Sequence, residues 1–420
     1  MNTVIKLLKA NEAVSDFKIN IHNKESYELF FVKGKLETLR CTDTCDKEVT
    51  VYADHGEFKG ESQFFVYPST TEAQLITLIG EAAAKAKLIC NRNYQLPGAE
   101  EGSFTVESNF SDYDPADLAA IIAKTVFSAN TIENASLNAV EVFINKHTET
   151  VCNSRGLHKT QVRYDAMVEA IPTYNGKKQS VELYEQYNFS SLDEAALHRE
   201  IAGKMTEVKA RYEAAAPETQ LCCPVILNIQ EISELMRSIA RDLNYASVYS
   251  HANLFKKGDA IQKEILGDSL GITMAGAVPG SVRSAAFDSD GLTLGSIRIV
   301  EGGQAVNYYG SNRYGQYLDE NPTGNLPCVA VDAGTAVMPE EALEVVSMSG
   351  LQVDLNNDYI GGEIRLAYHC RGNTRTPVTG ISISGKLSEV LATIRLSPAT
   401  ATYGGYHGPE KAVLTGMKIF

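Results

Sequence analysis

Between Tyr27 and Tyr67 the chain alternates apolar and polar residues in four short runs, ELFFV, LETLR, EVTVYA and SQFFVY, parted by Lys33-Gly34 and by Asp54-His55-Gly56. A period of two sends successive side chains to opposite faces of a strand. Glycine beside Lys or His gives the backbone the freedom a tight turn demands. The pattern therefore predicts an antiparallel meander. From Thr71 to Cys90 the spacing changes: Leu75, Ile76, Ile79, Ala83 and Leu88 recur at helical intervals, so a helix should lie against the sheet. The opening MNTVIKLLKANEAVSDF mixes Lys6, Lys9 and Glu12 into its apolar residues and reads as an amphipathic helix, not as a signal peptide.

Leu96 to Ser111 is rich in Pro, Gly and acidic residues and reads as a linker. Asp114-Pro115 then opens a helix to about Ala129, with proline at a tolerated first-turn position. Two strand-like runs, Ala139–Cys152 and Leu157–Ile171, flank Asn153-Ser154-Arg155-Gly156, a hairpin turn. Ser191-Leu192-Asp193-Glu194 offers an N-cap to a charged amphipathic helix reaching about Ala215. Pro217 ends that helix, and an apolar strand follows from Pro224 to Asn228. Beyond Gly267 the chain is glycine-rich and strand-like, with turns at Pro279-Gly280, Asp290-Gly291, Gly302-Gly303 and Thr323-Gly324-Asn325; GKLSEVLATIRL then carries a short helical signature before a terminal strand, LTGMKIF. A chain of 420 residues exceeds what one core serves. The expected class is α+β. An N-terminal domain over 1–100 and a middle segment over 101–217, with the hairpin and long helix, would carry antiparallel sheets and packed helices; a mostly β domain of mixed sheets would fill 218–420.

Charge narrows the partners. Acidic residues outnumber basic ones 52 to 38, for a formal charge of -14, and no Lys/Arg cluster interrupts the balance. Nucleic-acid affinity rests on cationic stripes that release counterions, so no nucleic-acid partner is expected. No apolar run approaches the roughly 20 residues of a membrane span. The eight cysteines are scattered. Cys222 and Cys223 are adjacent, which strains a disulfide, and Cys41 and Cys45 on an extended strand would stand roughly 13 Å apart. Reduced thiols, and hence a cytoplasmic protein, are expected.

The chemistry-bearing motifs are sparse. Asp288-Ser289-Asp290-Gly291 and Asp354-Leu355-Asn356-Asn357-Asp358 begin like calcium loops, but neither has Gly at position six or Glu at position twelve, so Asx turns are expected. A catalytic zinc needs about three protein donors and an open position. The helical stretch Ile232–Leu243, ISELMRSIARDL, offers Glu234 and Asp242 and no histidine, which reads as a solvated face. His251, His369, Cys370 and His407 remain as fallback donors. His369 and Cys370 are neighbours that would point to opposite faces of a strand, so ordinary polar packing is the preferred reading. No Gly-x-Ser-x-Gly elbow or phosphate-binding glycine loop appears.

Several segments occur in a telling order: YELFFVKGKLE, EVTVYADHGEFKGES and NSRGLHKTQVRY, then GDAIQKEILG, FDSDG, PTGN and YHCRGNTRTPVTGISISGKLSEVL. Together with the stretch Phe287–Asn325, this order resembles the TldD/PmbA (TldE) family, bacterial proteins linked to peptide maturation and degradation and once called modulators of DNA gyrase. The resemblance implies an N-terminal α+β region in two parts, followed by a C-terminal domain of mixed sheets. It also implies a heterodimer of a TldD-like and a TldE-like chain, with zinc in the TldD-like partner alone. There, a His-Glu-x-x-x-His helix and a cysteine in a Cys-Gly-Lys-like turn hold the metal. The matching stretches here are Ile232–Leu243, without histidine, and Tyr403–Pro409, which keeps Gly404 and Gly405 and lacks the thiol.

By resemblance this is a PmbA/TldE-like member with no catalytic residue and no cofactor of its own, the non-catalytic subunit of a TldD/TldE-type metalloprotease. Asp288, Asp290, Gly291, Thr323, Gly324, Asn325, Gly404 and Gly405 are its expected cleft residues. Its expected partners are a TldD-like paralogue, an unfolded peptide held by strand edges and, in isolation, a second copy of itself. Two alternatives stay open at this point: a self-sufficient hydrolase with a divergent site, and a regulatory protein-binding factor of the gyrase-modulator kind.

Overall fold

The computed structural model describes residues 2–420. Helix α1 (Asn2–Ala10) precedes three long strands, β1 (Asp16–Val32), β2 (Lys35–His55) and β3 (Phe58–Phe65), and helix α2 (Glu72–Ala86). The meander is as the alternation predicts, except that LETLR and EVTVYA form one continuous strand. Helix α2 begins at a reciprocal cap, in which Thr71 accepts from the Gln74 N–H and the Gln74 side chain answers the Thr71 N–H.

The stretch expected as a linker holds β4 (Glu101–Thr105). It is followed by α3 (Pro115–Ser128), β5 (Ala135–Asn153), β6 (His158–Asn175), β7 (Ser180–Glu182), β8 (Glu185–Phe189) and α4 (Glu194–Glu213). All eight strands join one sheet, ordered β3-β2-β1-β5-β6-β4 with β7 and β8 also on β6. Strand β4 runs parallel to His158–Val162 of β6. Its partner lies more than fifty residues away, so local composition alone could not reveal it. Because β1 pairs with β5 over Lys18–Val32, a single sheet spans residue 100. Leu118, Ile122 and Val126 of α3 and Ile201 and Met205 of α4 pack on Val140, Val142 and Val168 of this sheet.

The second half contains β9 (Val225–Asn228), α5 (Ile229–Asp242), α6 (Tyr245–Tyr249), β10 (Ile272–Ala275), β11 (Ser296–Glu301), β12 (Gln304–Ala305), α7 (Asn312–Tyr317), β13 (Cys328–Val331) and β14 (Glu341–Met348). It continues with β15 (Gln352–Asp354), β16 (Tyr359–Arg371), β17 (Thr374–Val378), β18 (Ile381–Lys386), α8 (Leu387–Thr393), β19 (Arg395–Leu396), β20 (Thr400–Tyr403), β21 (Tyr406–Pro409), β22 (Lys411–Leu414) and β23 (Lys418–Ile419). These strands form two mixed sheets, β12-β11-β10-β13-β21-β20 and β19-β22-β9-β14-β16-β18-β23, the latter with β15 and β17 on β16.

Helix α5 lies between those sheets, touching β9 and β22 of one and β10, β13, β20 and β21 of the other. Its sequence explains the position. Asn228 caps it by accepting the Gln230 N–H at 2.8 Å. Ile232, Leu235, Met236 and Ile239 then recur at i, i+3, i+4 and i+7 and are fully buried. Each such side chain contributes about 1.5–3 kcal/mol. The chain is thus α+β, with a largely antiparallel N-terminal sheet and mixed C-terminal sheets.

Candidate functional site

The acidic turn closes around Asp288. Its Oδ1 accepts the backbone N–H of Asp290 and of Leu292, each at 3.0 Å, and its Oδ2 accepts that of Asn325 at 2.9 Å. The first two bonds make the Asx turn expected from composition; the third clamps the Thr323–Asn325 loop onto it. Thr323 Oγ1 in turn accepts the Gly310 N–H at 2.9 Å. Gly324 has φ +77°, and a side chain there would put its first carbon 2.4 Å from Leu294 Cδ2. Asp288 is buried, and burial, followed by the Asp290 charge, pushes its carboxyl above the usual range against the pull of its three N–H donors. The structure therefore brings Asp288, Asp290, Gly291, Thr323, Gly324 and Asn325 together.

Their partners come from the N-terminal sheet. Lys18 Nζ pairs with Asp290 Oδ1 at 2.5 Å. Burial depresses the Lys18 ammonium, but Asp290, together with Tyr52 and Asp288, outweighs it and the pKa is raised. Lys159, whose side chain is wholly buried, donates to the Gly291 carbonyl at 2.9 Å and to Thr293 Oγ1 at 2.6 Å, and pairs with Glu100 at 2.7 Å. Gly291, at φ +85°, leaves only enough room for Leu157 of the hairpin: a first side-chain carbon there would stand 2.3 Å from Leu157 Cδ2. Further along, Gln161 Oε1 accepts the Ala286 N–H at 2.8 Å, and Arg163 donates to the Val282 carbonyl at 3.1 Å. Arg313–Glu61 at 3.0 Å and the edge-on Tyr94–Tyr317 pair extend the seam. These expected cleft residues thus tie two parts of one chain together.

Gly404 and Gly405 lie elsewhere, in the turn joining β20 to β21. The Gly404 carbonyl accepts from Ser281 Oγ at 2.7 Å, and the Gly405 carbonyl accepts the Val329 N–H at 2.8 Å. A first side-chain carbon on Gly405 would meet the Pro327 carbonyl at 2.8 Å, Arg283 Cδ at 2.7 Å and Arg237 Nη2 at 3.2 Å. From α5, then, the group reaching this turn is the Arg237 guanidinium. Its Nε is buried and has no hydrogen-bond partner. Burial, then the neighbouring Arg283 charge, lowers its pKa.

A guanidinium donates and repels cations, so the residues at this turn do not fit a zinc ion. Glu234 pairs with Arg241 at 2.7 Å on a half-exposed surface. Asp242 is buried and accepts the N–H groups of Leu254 and Phe255 at 2.7 and 2.9 Å.

The fallback donors are dispersed. His369 Nε2 lies 3.0 Å from Glu341 Oε1, and the Cys370 thiol faces Glu344 at 3.6 Å, both on β16 of the larger C-terminal sheet. His407 Nδ1 lies 2.9 Å from Thr402 Oγ1 in the other sheet. His251 is exposed after α6, with φ +57°. Among the described residues, no three or more His, Cys, Asp or Glu side chains gather as a metal-binding group.

Residues 220–419, which include α5 and both glycine-bearing turns, match the PmbA/TldA metallopeptidase C-terminal domain. The C-terminal half of the chain is thus similar to that domain. Solved structures extend the likeness of fold across the whole length. TldE from Thermococcus kodakarensis superposes with a TM-score of 0.80 at 14% identity, covering 99% of each chain. A candidate modulator of a DNA gyrase from Thermotoga maritima gives 0.77 at 14%, covering 100% of this chain and 99% of that one. Another from Bacteroides thetaiotaomicron gives 0.77 at 12%, covering 100% and 97%. No curated protein matches by sequence.

Within this fold, sequence reasoning missed Lys18, Lys159, Arg237 and Arg283. Lys159 was legible in part, since HKTQVRY lies in a run read as a strand, whereas Lys18 precedes the first run so read.

Proposed function

We propose that this chain is the non-catalytic, TldE-like subunit of a two-chain metallopeptidase that matures or degrades peptides, with zinc held by a TldD-like partner. The observation that carries the reading is α5. Where a zinc helix would offer imidazoles, it offers Arg237 to the Gly404–Gly405 turn, and a positive charge disfavours a second cation there. The strand-rich C-terminal domain suits a supporting role, because strand edges hold an extended peptide through main-chain hydrogen bonds whatever its side chains. A surface shaped for a paralogue can also pair with itself, so a homodimer is the expected state when the partner is missing.

Eight free thiols support a reducing, cytoplasmic setting. The charge of -14 disfavours nucleic acid. Among the described residues no helix is long and apolar enough to cross a membrane.

The test is metal content and activity of the chain purified alone, assayed on an unfolded peptide with and without added zinc. Zinc well below one ion per chain and no hydrolysis are expected. One tightly held zinc per chain, together with cleavage, would overturn the reading.

A further inference from the structure

Two arginine side chains share the space over the Gly404–Gly405 turn, and among the described residues no carboxylate forms a salt bridge with either. A first side-chain carbon on Gly405 would lie 3.2 Å from Arg237 Nη2 and 2.7 Å from Arg283 Cδ, so both arginine side chains pack closely over the turn. The carboxylate one turn before Arg237 on α5, Glu234, is committed to Arg241. Arg237 Nε is buried without an acceptor among the described residues. A cationic N–H withdrawn from water and left unbonded is costly, and a like charge beside it adds to the cost. Evolution normally satisfies such a group from within the protein. The side chains bordering the turn, Arg283 and Tyr403, are both exposed.

We propose that Arg237 and Arg283 form a carboxylate-binding site over the Gly404–Gly405 turn. A carboxylate lying side-on to Arg237 would meet Nε and Nη2 together in the forked geometry a guanidinium prefers, once the exposed Arg283 side chain swings aside to admit it and folds back over it from the solvent side. The lack of a side chain at Gly405 is what lets both arginines approach the turn so closely. The net charge of -14 selects against long polyanions and leaves a single carboxylate as the matching ligand. Resting on the reading of this chain as a peptidase subunit, the carboxylate belongs to a bound peptide, either its C-terminus or an acidic side chain.

The test uses the full chain with 15N-labelled arginine, following the Arg237 Nε–H resonance during titration with acetate against sodium chloride at constant ionic strength. A saturable shift with acetate and none with chloride is expected. Arg283→Gln should weaken the apparent affinity about tenfold, the loss of one charge-assisted contact, with the thermal unfolding curve confirming that the variant is folded.

Three N-acetylated alanine peptides identify the source: one with a free C-terminus, one amidated, and one amidated with a single glutamate. A response to the first alone assigns the C-terminal carboxylate, and a response to the third alone assigns an acidic side chain. Equal responses to acetate and chloride, or inorganic phosphate acting at lower concentration than acetate, would overturn the site. If the titration fails while the chain remains necessary for its partner's cleavage, only this inference falls. Carboxylate binding by a chain the partner does not need would instead refute the peptidase reading.

Discussion

Two turns of the C-terminal domain carry charge in opposite ways. At the acidic turn, Asp288 is answered by three N–H groups, Asp290 by Lys18, and the neighbouring carbonyl by Lys159. At the Gly404–Gly405 turn, Arg237 and Arg283 face each other without a carboxylate. Saturated charges of the first kind hold a structure together, because removing one strands the others. Unanswered charges of the second kind contribute little to the fold and are free to meet a ligand. The contrast separates residues that a resemblance groups into one cleft.

The comparison can be broken most easily at Asp288. Replacing it with alanine orphans three backbone donors and should cost about 3 kcal/mol, read from the shift of the urea midpoint. An unchanged midpoint would mean that the clamp on Asn325 contributes nothing.

The next effect depends on pH. Glu231, buried on α5 with one oxygen unpartnered, has its carboxyl pushed up to about 7 by burial. A folded pKa above the unfolded one means that the native state binds the extra proton. Stability should therefore fall as pH rises from about 4.5 to about 7, by on the order of 2 kcal/mol. Glu231→Gln should flatten that slope, leaving stability near pH 4 little changed and raising it at pH 8. A variant with the same pH profile as the parent would remove Glu231 from the unanswered side of the comparison.

Gly291→Ala should cost about 1–2 kcal/mol, from its positive φ and the contact with Leu157. A second substitution, Leu157→Ala, should recover part of that loss if the contact matters, and none of it if the backbone angle alone is responsible. The smallest effect is expected at Arg283→Gln, within about 0.5 kcal/mol of the parent. A loss approaching that of Asp288→Ala would show that Arg283 is structural after all and erase the distinction.

What could be read in advance follows the range of each interaction. The Asn153–Gly156 hairpin and the Asp193 cap rest on neighbours within a few residues, and local pattern found them; the helical stretch Ile232–Leu243 came from the family resemblance. The Asx turn at Asp288 was legible for the same reason, whereas its bond to Asn325 spans 37 residues and was not. Strand β4 was hidden because its pairing is parallel and distant.

In ISELMRSIARDL a solvated face describes Glu234 and Arg241 well, but not Asp242, which is buried beneath Leu254 and Phe255, nor Arg237, which turns toward Gly405. Helical spacing tells which residues share a face. Which sheet covers that face is a long-range fact. Gly404 and Gly405 were located through the family resemblance, and the arginines beside them only by the fold.

The most direct test is reconstitution. An unfolded peptide would be offered to the purified TldD-like chain, to this chain and to an equimolar mixture, with cleavage followed by mass spectrometry. Cleavage by the mixture alone, with this chain inactive by itself, is the predicted result. Full cleavage by the TldD-like chain without this one, or any cleavage by this chain alone, would contradict the account.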